Sequence, residues 1–191
     1  MGADRFFEVY NGHRGVRSHG DETHPSTESI WDQALTLRLT ALGLGPLFGV
    51  ATDDAHDYYG GLTSQSGRGW IMVRSANLDG DSIVRAMQAG EFYASSGVTL
   101  DDVQMGNDAY RVSIRPQEGV TFVTRFVGTR IVDGVLGPVG EVLSEQEGLS
   151  AEFKPQGDEL YVRGVVTSSR MHPNPYAEGD REMAWTQPWV R

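Results

Sequence analysis

The period of the apolar pattern changes near residue 98, and that change limits the folds open to this chain. Upstream, short apolar runs alternate with segments of helical spacing. Downstream, YRVSIRP, VTFVTRFVG, TRIVDGVLG, LSAEFKP and ELYVRGVVTSS alternate in period two between Gly-, Pro- or Asp-bearing turns. Period two with turn punctuation predicts an antiparallel β module of sandwich type. The boundary divides the chain into residues 1–98 and 99–191.

In the first part FFEVY (6–10), LFGVA (47–51), WIMVRS (70–75) and FYASS read as strands. A helix is predicted from Ser26 or Thr27, with a hydroxyl at the N-cap and Glu28 in the first turn, where the helix dipole favours an acid. Its apolar positions are Ile30, Trp31, Ala34, Leu35, Leu39 and Leu42, and Gly43 ends it. A second helix follows Asp79 in DGDSIVRAMQAG. Strands alternating with helices predict an α/β domain built on a parallel sheet or barrel.

The 191 residues contain no cysteine, which excludes disulfides, zinc–thiolate sites and a Cys nucleophile. Acidic residues outnumber basic ones 26 to 16, a formal charge of −10, which argues against nucleic acid as a partner. No apolar run approaches the roughly 18 residues of a membrane span, and the first residues lack the pattern of a signal peptide. The expectation is therefore no membrane and, by default, the cytoplasm.

Chemistry concentrates in TDDAHD (52–57), directly after the run 47–51. In parallel α/β architectures functional groups collect at the carboxyl ends of strands. Residues i and i+2 project alike there, so Asp54 and His56 can reach one point. A carboxylate oxygen with a neutral imidazole suits a divalent metal such as Zn, Mn or Fe. On spacing alone, a solvated loop explains the same residues equally well.

TDDAHD resembles the Ser-Asp-Ala-His motif of the PHP (polymerase and histidinol phosphatase) family, metal-dependent phosphoesterases on a distorted TIM-like barrel. FFEVYNGH is similar to a late strand of that barrel, and GRGWIMVRSANLDGDSIVRAMQAGEFYASSG to the stretch after its metal motif. The likeness covers roughly residues 5 to 100. It implies a partial TIM-like α/β barrel (1–98) followed by the antiparallel β module (99–191). It implies Asp54 and His56 as ligands of a divalent metal and Glu8 in a supporting position beside it. Asp53 stands where the family often has Ser. Asn11 and His13 are placed to face substrate. Arg68 either meets a substrate phosphate or anchors its loop to Asp57 or a backbone carbonyl. Glu8 has a plainer reading as a buried acid paired with an arginine such as Arg74.

The family's His-x-His, Thr-Asp-His and Gly-x-Glu have no counterparts at corresponding positions here. The expected function is thus metal-dependent phosphoester hydrolysis on a small phosphorylated substrate, in a partial domain with weak or no activity alone. The alternative is a non-catalytic module that forms homo-oligomers through an exposed barrel edge. A carbohydrate- or protein-binding role for the β module, with Trp185 and Tyr176 as contacts, ranks below both. His13, His19 and His24 with Asp21 and Glu22 form a second acid–histidine cluster, read as a solvated loop. His172 reads as part of a turn.

Overall fold

The computed structural model describes residues 4–56 and 65–190. The chain runs β1 (Phe6–Asn11), α1 (Thr27–Thr40), β2 (Phe48–Thr52), β3 (Trp70–Val73), α2 (Gly80–Gln88) and β4 (Phe92–Ser95). It continues through β5 (Leu100–Met105), β6 (Tyr110–Ile114), β7 (Phe122–Val132), β8 (Val135–Leu136), β9 (Glu141–Glu147), β10 (Ser150–Phe153), β11 (Glu159–Met171) and β12 (Arg181–Thr186).

A large antiparallel sheet, ordered β3-β4-β12-β11-β7-β8 with β9 also on β7, forms the middle of the molecule. A three-stranded sheet, β10-β6-β5, covers one face. Tyr110, Val112, Ile114 and Phe153 pack there against Phe122, Phe126, Val162 and Val166 in one buried cluster. The parallel pair β1-β2 and α1 cover the other face, where Val9, Tyr10, Trp31 and Leu35 meet Val127, Tyr161, Val165 and Trp185. β7 and β11 are long and apolar on both sides because both sides are covered. The sheet also joins residues on either side of position 98, since β4 pairs with β12 through Ala184 and Ser95.

The partial TIM-like barrel is not what forms. Strand accounts for 41% of the structure and helix for 13%, in two helices, and the described residues close no barrel. Only β1 and β2 pair in parallel among the described strands. The helix between β3 and β4 reads as a crossover to a parallel neighbour, but it lies beyond the strand ends. Val73 pairs with Phe92 and Trp70 with Ser95, so the chain returns antiparallel and α2 caps a long hairpin. Little of α2 is covered accordingly: Ser82 and Ala86 are its buried residues. A helix implies a parallel crossover only when it packs across the sheet.

The start of α1 follows its local signals. Ser26 is the N-cap and its hydroxyl accepts from the Ser29 N–H at 3.1 Å. Its covered face differs from the apolar stripe in the sequence. Trp31 and Leu35 are buried together with Asp32, Thr36 and Arg38, while Ile30 and Leu42 are exposed. The helix turns a polar flank toward β7 and β11, where Asp32 meets Arg163 and Thr36 meets Thr129. No described helix is long and apolar enough to cross a membrane.

Candidate functional site

β1 and β2 run side by side with Phe6 opposite Phe48 and Asn11 opposite Thr52, so their carboxyl ends open at one mouth. The register slips between Glu8 and Tyr10. In a regular strand residues 8 and 11 face opposite sides, and one extra residue restores them to the same side. Glu8 and Asn11 therefore meet: the Asn11 Nδ2 donates to Glu8 Oε2 at 2.8 Å. The Thr52 hydroxyl donates to the other oxygen of Glu8.

Beyond the strand ends Gly12 donates its N–H to Thr52 O at 2.9 Å. Asp54 then takes a left-handed backbone, φ 46°, a conformation that non-glycine residues adopt at a cost. That turn brings Asp54 back over β1, where its Oδ2 accepts from Asn11 Nδ2 at 3.2 Å. Its Oδ1 lies 3.0 Å from His56 Nε2. The Asn11 Oδ1 accepts the His13 N–H at 2.7 Å, which fixes the amide orientation from both ends. The His13 and His56 rings stand edge to face at 5.7 Å. Glu8, Asn11, His13, Asp54 and His56 thus form one connected group.

The other sequence candidates separate from it. Arg68 is 1% exposed, and its guanidinium donates to Gly12 O at 2.7 Å and Asn174 O at 3.1 Å. It anchors the loop that carries His13, and no part of it is open to a substrate. Asp53 folds away from the mouth and accepts the backbone N–H groups of Gly67, Arg68 and Gly69 at 3.0, 2.6 and 2.9 Å. Arg74 pairs with Asp102 rather than Glu8. Asp57 lies outside the described residues. His24 and Asp21 close a local turn at 2.8 Å. His172 Nδ1 accepts the Asn174 N–H at 3.0 Å within its own turn. Trp185 is 2% exposed in the core, which removes it as a ligand contact.

Taken alone, the described residues form no metal site, which corrects the expectation of metal binding by them. They contain no group of three or more His, Asp or Glu side chains placed to hold an ion. The carboxylates at the mouth face neutral donors: Glu8 is held by Thr52 and Asn11, and Asp54 by Asn11. Asp54 and His56 by themselves do fit as adjacent donors. Two ligand atoms each about 2.1 Å from one octahedral ion are about 3 Å apart, as these two are in their ion pair, whereas tetrahedral zinc sets its ligands about 3.4 Å apart.

One set of residues near the mouth carries no signal in the sequence. Asp180 lies in the β11–β12 connection and its buried side chain accepts from the Tyr10 hydroxyl at 3.0 Å. Its other oxygen lies 3.1 Å from His19 Nε2. The hydrogen bond to Asp180 holds the His19 imidazole above its ordinary value, against the opposing effect of burial. Burial works to raise Asp180, but hydrogen bonds from His19 and Tyr10 outweigh it and keep the carboxyl below the ordinary range. Burial first, then the Asp180 charge, pushes the Tyr10 phenol far up, so it stays a neutral donor. Partners 161 and 170 residues apart leave no spacing to read.

Comparison with family models, with curated proteins and with solved structures found no match to this chain.

Proposed function

We propose that the mouth of β1 and β2 serves metal-dependent phosphoester hydrolysis, with Asp54 and His56 as two donors of a site completed by donors outside the described residues. The observation that carries this reading is the 3.0 Å separation of Asp54 Oδ1 and His56 Nε2, the bite of adjacent ligands on one ion. The resemblance of TDDAHD to a phosphoesterase metal motif supports it and supplies the substrate class, a small phosphorylated molecule. A divalent cation bound there would polarise a phosphoryl oxygen and lower the pKa of a water.

The chain's own residues hold the arrangement. Asn11 fixes the second oxygen of Asp54, so the first stays turned toward His56. Glu8 orients Asn11, and Thr52 orients Glu8. Conserving such outer contacts matters because they set the direction of the ligand lone pairs. His13 stands edge to face with His56, and its Nδ1 accepts the Gly15 N–H at 2.9 Å.

Catalytic zinc sites use three protein ligands, and two donors hold an ion weakly. Among the described residues no three donors come together, and a second reading is a non-catalytic module that acts by self-association. Titrating the chain with Mn²⁺ or Zn²⁺ by calorimetry, with p-nitrophenyl phosphate hydrolysis and sedimentation alongside, separates the two. The expected result is weak cation binding that Asp54→Ala and His56→Ala each abolish, with little hydrolysis by the chain alone. Cation uptake unchanged in both variants, or hydrolysis that persists in chelator, overturns the proposal. Self-association with no cation effect selects the second reading.

A further inference from the structure

Asp180 is a buried carboxylate, its side chain 1% exposed, in the connection between the last two strands. A buried charge needs full compensation from fixed partners. Both partners here come from the other end of the chain, the Tyr10 hydroxyl and the His19 imidazole. One adjoins Asn11 itself and the other adjoins a residue that grips Asn11. Tyr10 precedes Asn11 on β1. Ser18 precedes His19, and its hydroxyl donates to Asn11 O at 3.2 Å and accepts the Asn11 N–H at 3.3 Å. Ser18 O in turn accepts the Thr27 backbone N–H at 3.0 Å, and the Thr27 hydroxyl donates to Val9 O. Tyr176 closes the group, 5.2 Å from the His19 ring and edge-on to Tyr10 at 6.1 Å.

We propose that Asp180 is a positioning residue for the mouth of β1 and β2: it clasps Tyr10 and His19, and through them sets Asn11, the amide that joins Glu8 to Asp54. The inference concerns geometry and holds whether or not a cation is bound there. Protonated His19 gives the clasp an ion pair, and neutral His19 leaves only a hydrogen bond. The state of the mouth therefore follows the charge on a residue outside it. The other charged or titratable groups that face the clasp are Glu28 toward His19, His172 toward Asp180, and Arg68 and Tyr176 toward Tyr10. None of these replaces His19, because among the described residues only its Nε2 reaches the second oxygen of Asp180.

The test is a pH titration of the full chain by nuclear magnetic resonance, in chelator, so that its outcome stays separate from that of cation binding. The imidazoles of His13, His19 and His56 and the Asn11 backbone and side-chain amides are followed together. The Asn11 signals are expected to shift at the midpoint of His19, which lies above the ordinary histidine value. Asp180→Asn should return that midpoint to the ordinary value and remove the corresponding shift of Asn11. If that variant does not fold, His19→Gln, at a half-exposed position, must remove the same component and leave those of His13 and His56. Asn11 signals that follow only His13 and His56, or that keep their pattern in either folded variant, overturn the inference.

Discussion

The guanidinium of Arg163 meets the carboxylate of Asp32 side-on, Nε to Oδ1 at 2.8 Å and Nη2 to Oδ2 at 2.7 Å. Both groups are buried between α1 and the large sheet. Glu28 takes a third Arg163 N–H at 2.9 Å, Tyr161 donates to Asp32 at 2.9 Å, and the Trp31 ring lies 4.8 Å from the guanidinium carbon. The parallel geometry suits a fork against a carboxylate and leaves few polar atoms unmet. Removing one partner strands the other charge in the interior, which costs about 3–5 kcal/mol. Asp32→Ala should lower the urea unfolding free energy by that order. Joint replacement of Asp32 and Arg163 by apolar residues should cost less than Asp32→Ala alone.

Gly49 sits on β2 directly under Trp31. A β-carbon there would lie 2.6 Å from the Trp31 ring, which the Nε1–H bond to Leu47 O at 2.8 Å holds in place. The same glycine exchanges two hydrogen bonds with the Gln187 side chain, at 2.8 and 2.9 Å. Neither neighbour can give way without losing a buried hydrogen bond. Gly49→Ala should destabilise by about 1–3 kcal/mol through overpacking. A lower melting temperature with unchanged far-ultraviolet dichroism would show it, and an unchanged melting temperature would refute it.

These contacts show which parts of the fold the sequence exposes. Element type is local, so the Ser26 hydroxyl, Glu28 and the period-two runs after residue 98 mark the helix start and the strands directly. Pairing partners are not local. Nothing in WIMV or FYAS distinguishes a parallel neighbour from an antiparallel one, and the position of α2 beyond the strand ends decides it. The polar face of α1 was hidden for a related reason. Asp32 looks like a surface acid until Arg163, 131 residues away, is brought against it. At the mouth, Asp54 and His56 could be picked out because they lie two residues apart. The bulge that turns Glu8 toward Asn11 could not, since a register slip depends on the partner strand. The sequence leaves Arg68 open to a substrate phosphate or to a backbone carbonyl, and only its burial and its bond to Gly12 O in three dimensions decide for the second.

Asp53 gathers three consecutive backbone N–H groups, those of Gly67, Arg68 and Gly69, onto one carboxylate. Replacing it with Ala removes all three hydrogen bonds while Arg68 stays buried. Hydrogen bonds to a charged group contribute about 1.5–3 kcal/mol, and partial exposure places the expected loss at the lower end. Hydrogen exchange gives the sharper test. The amides of Arg68 and Gly69 should exchange much faster in Asp53→Ala, while amides in β7 and β11 keep their order of protection. Unchanged exchange at 68 and 69 would show that other contacts hold the loop, such as that of His172 Nε2 with Arg68 O at 3.2 Å.

The His19–Asp180 pair gives stability a dependence on pH whose sign differs on its two sides. His19 is raised in the folded state, chiefly by its hydrogen bond to Asp180. Its contribution is therefore fully present below the ordinary histidine value of about 6.5 and is lost as pH rises through the higher folded value. Asp180 is lowered: burial opposes its charge, and the bonds from His19 and Tyr10 overcome that. Its contribution is present above the ordinary carboxyl value of about 3.9 and is lost as pH falls through the lower folded value. The pair is strongest between those limits, in mildly acidic solution. Because the His19 side chain is 47% exposed, solvent screening keeps the imidazole's share below about 1 kcal/mol. The unfolding free energy of the wild type minus that of His19→Gln should be largest near pH 5–6, between the ordinary values of the two groups. It should shrink toward pH 8–9 as the imidazole loses its charge, and toward strong acid as Asp180 gains a proton. A difference that stays level from pH 5 to pH 9 would mean that His19 binds its proton equally in the folded and unfolded chains, and that its charge adds nothing to the clasp.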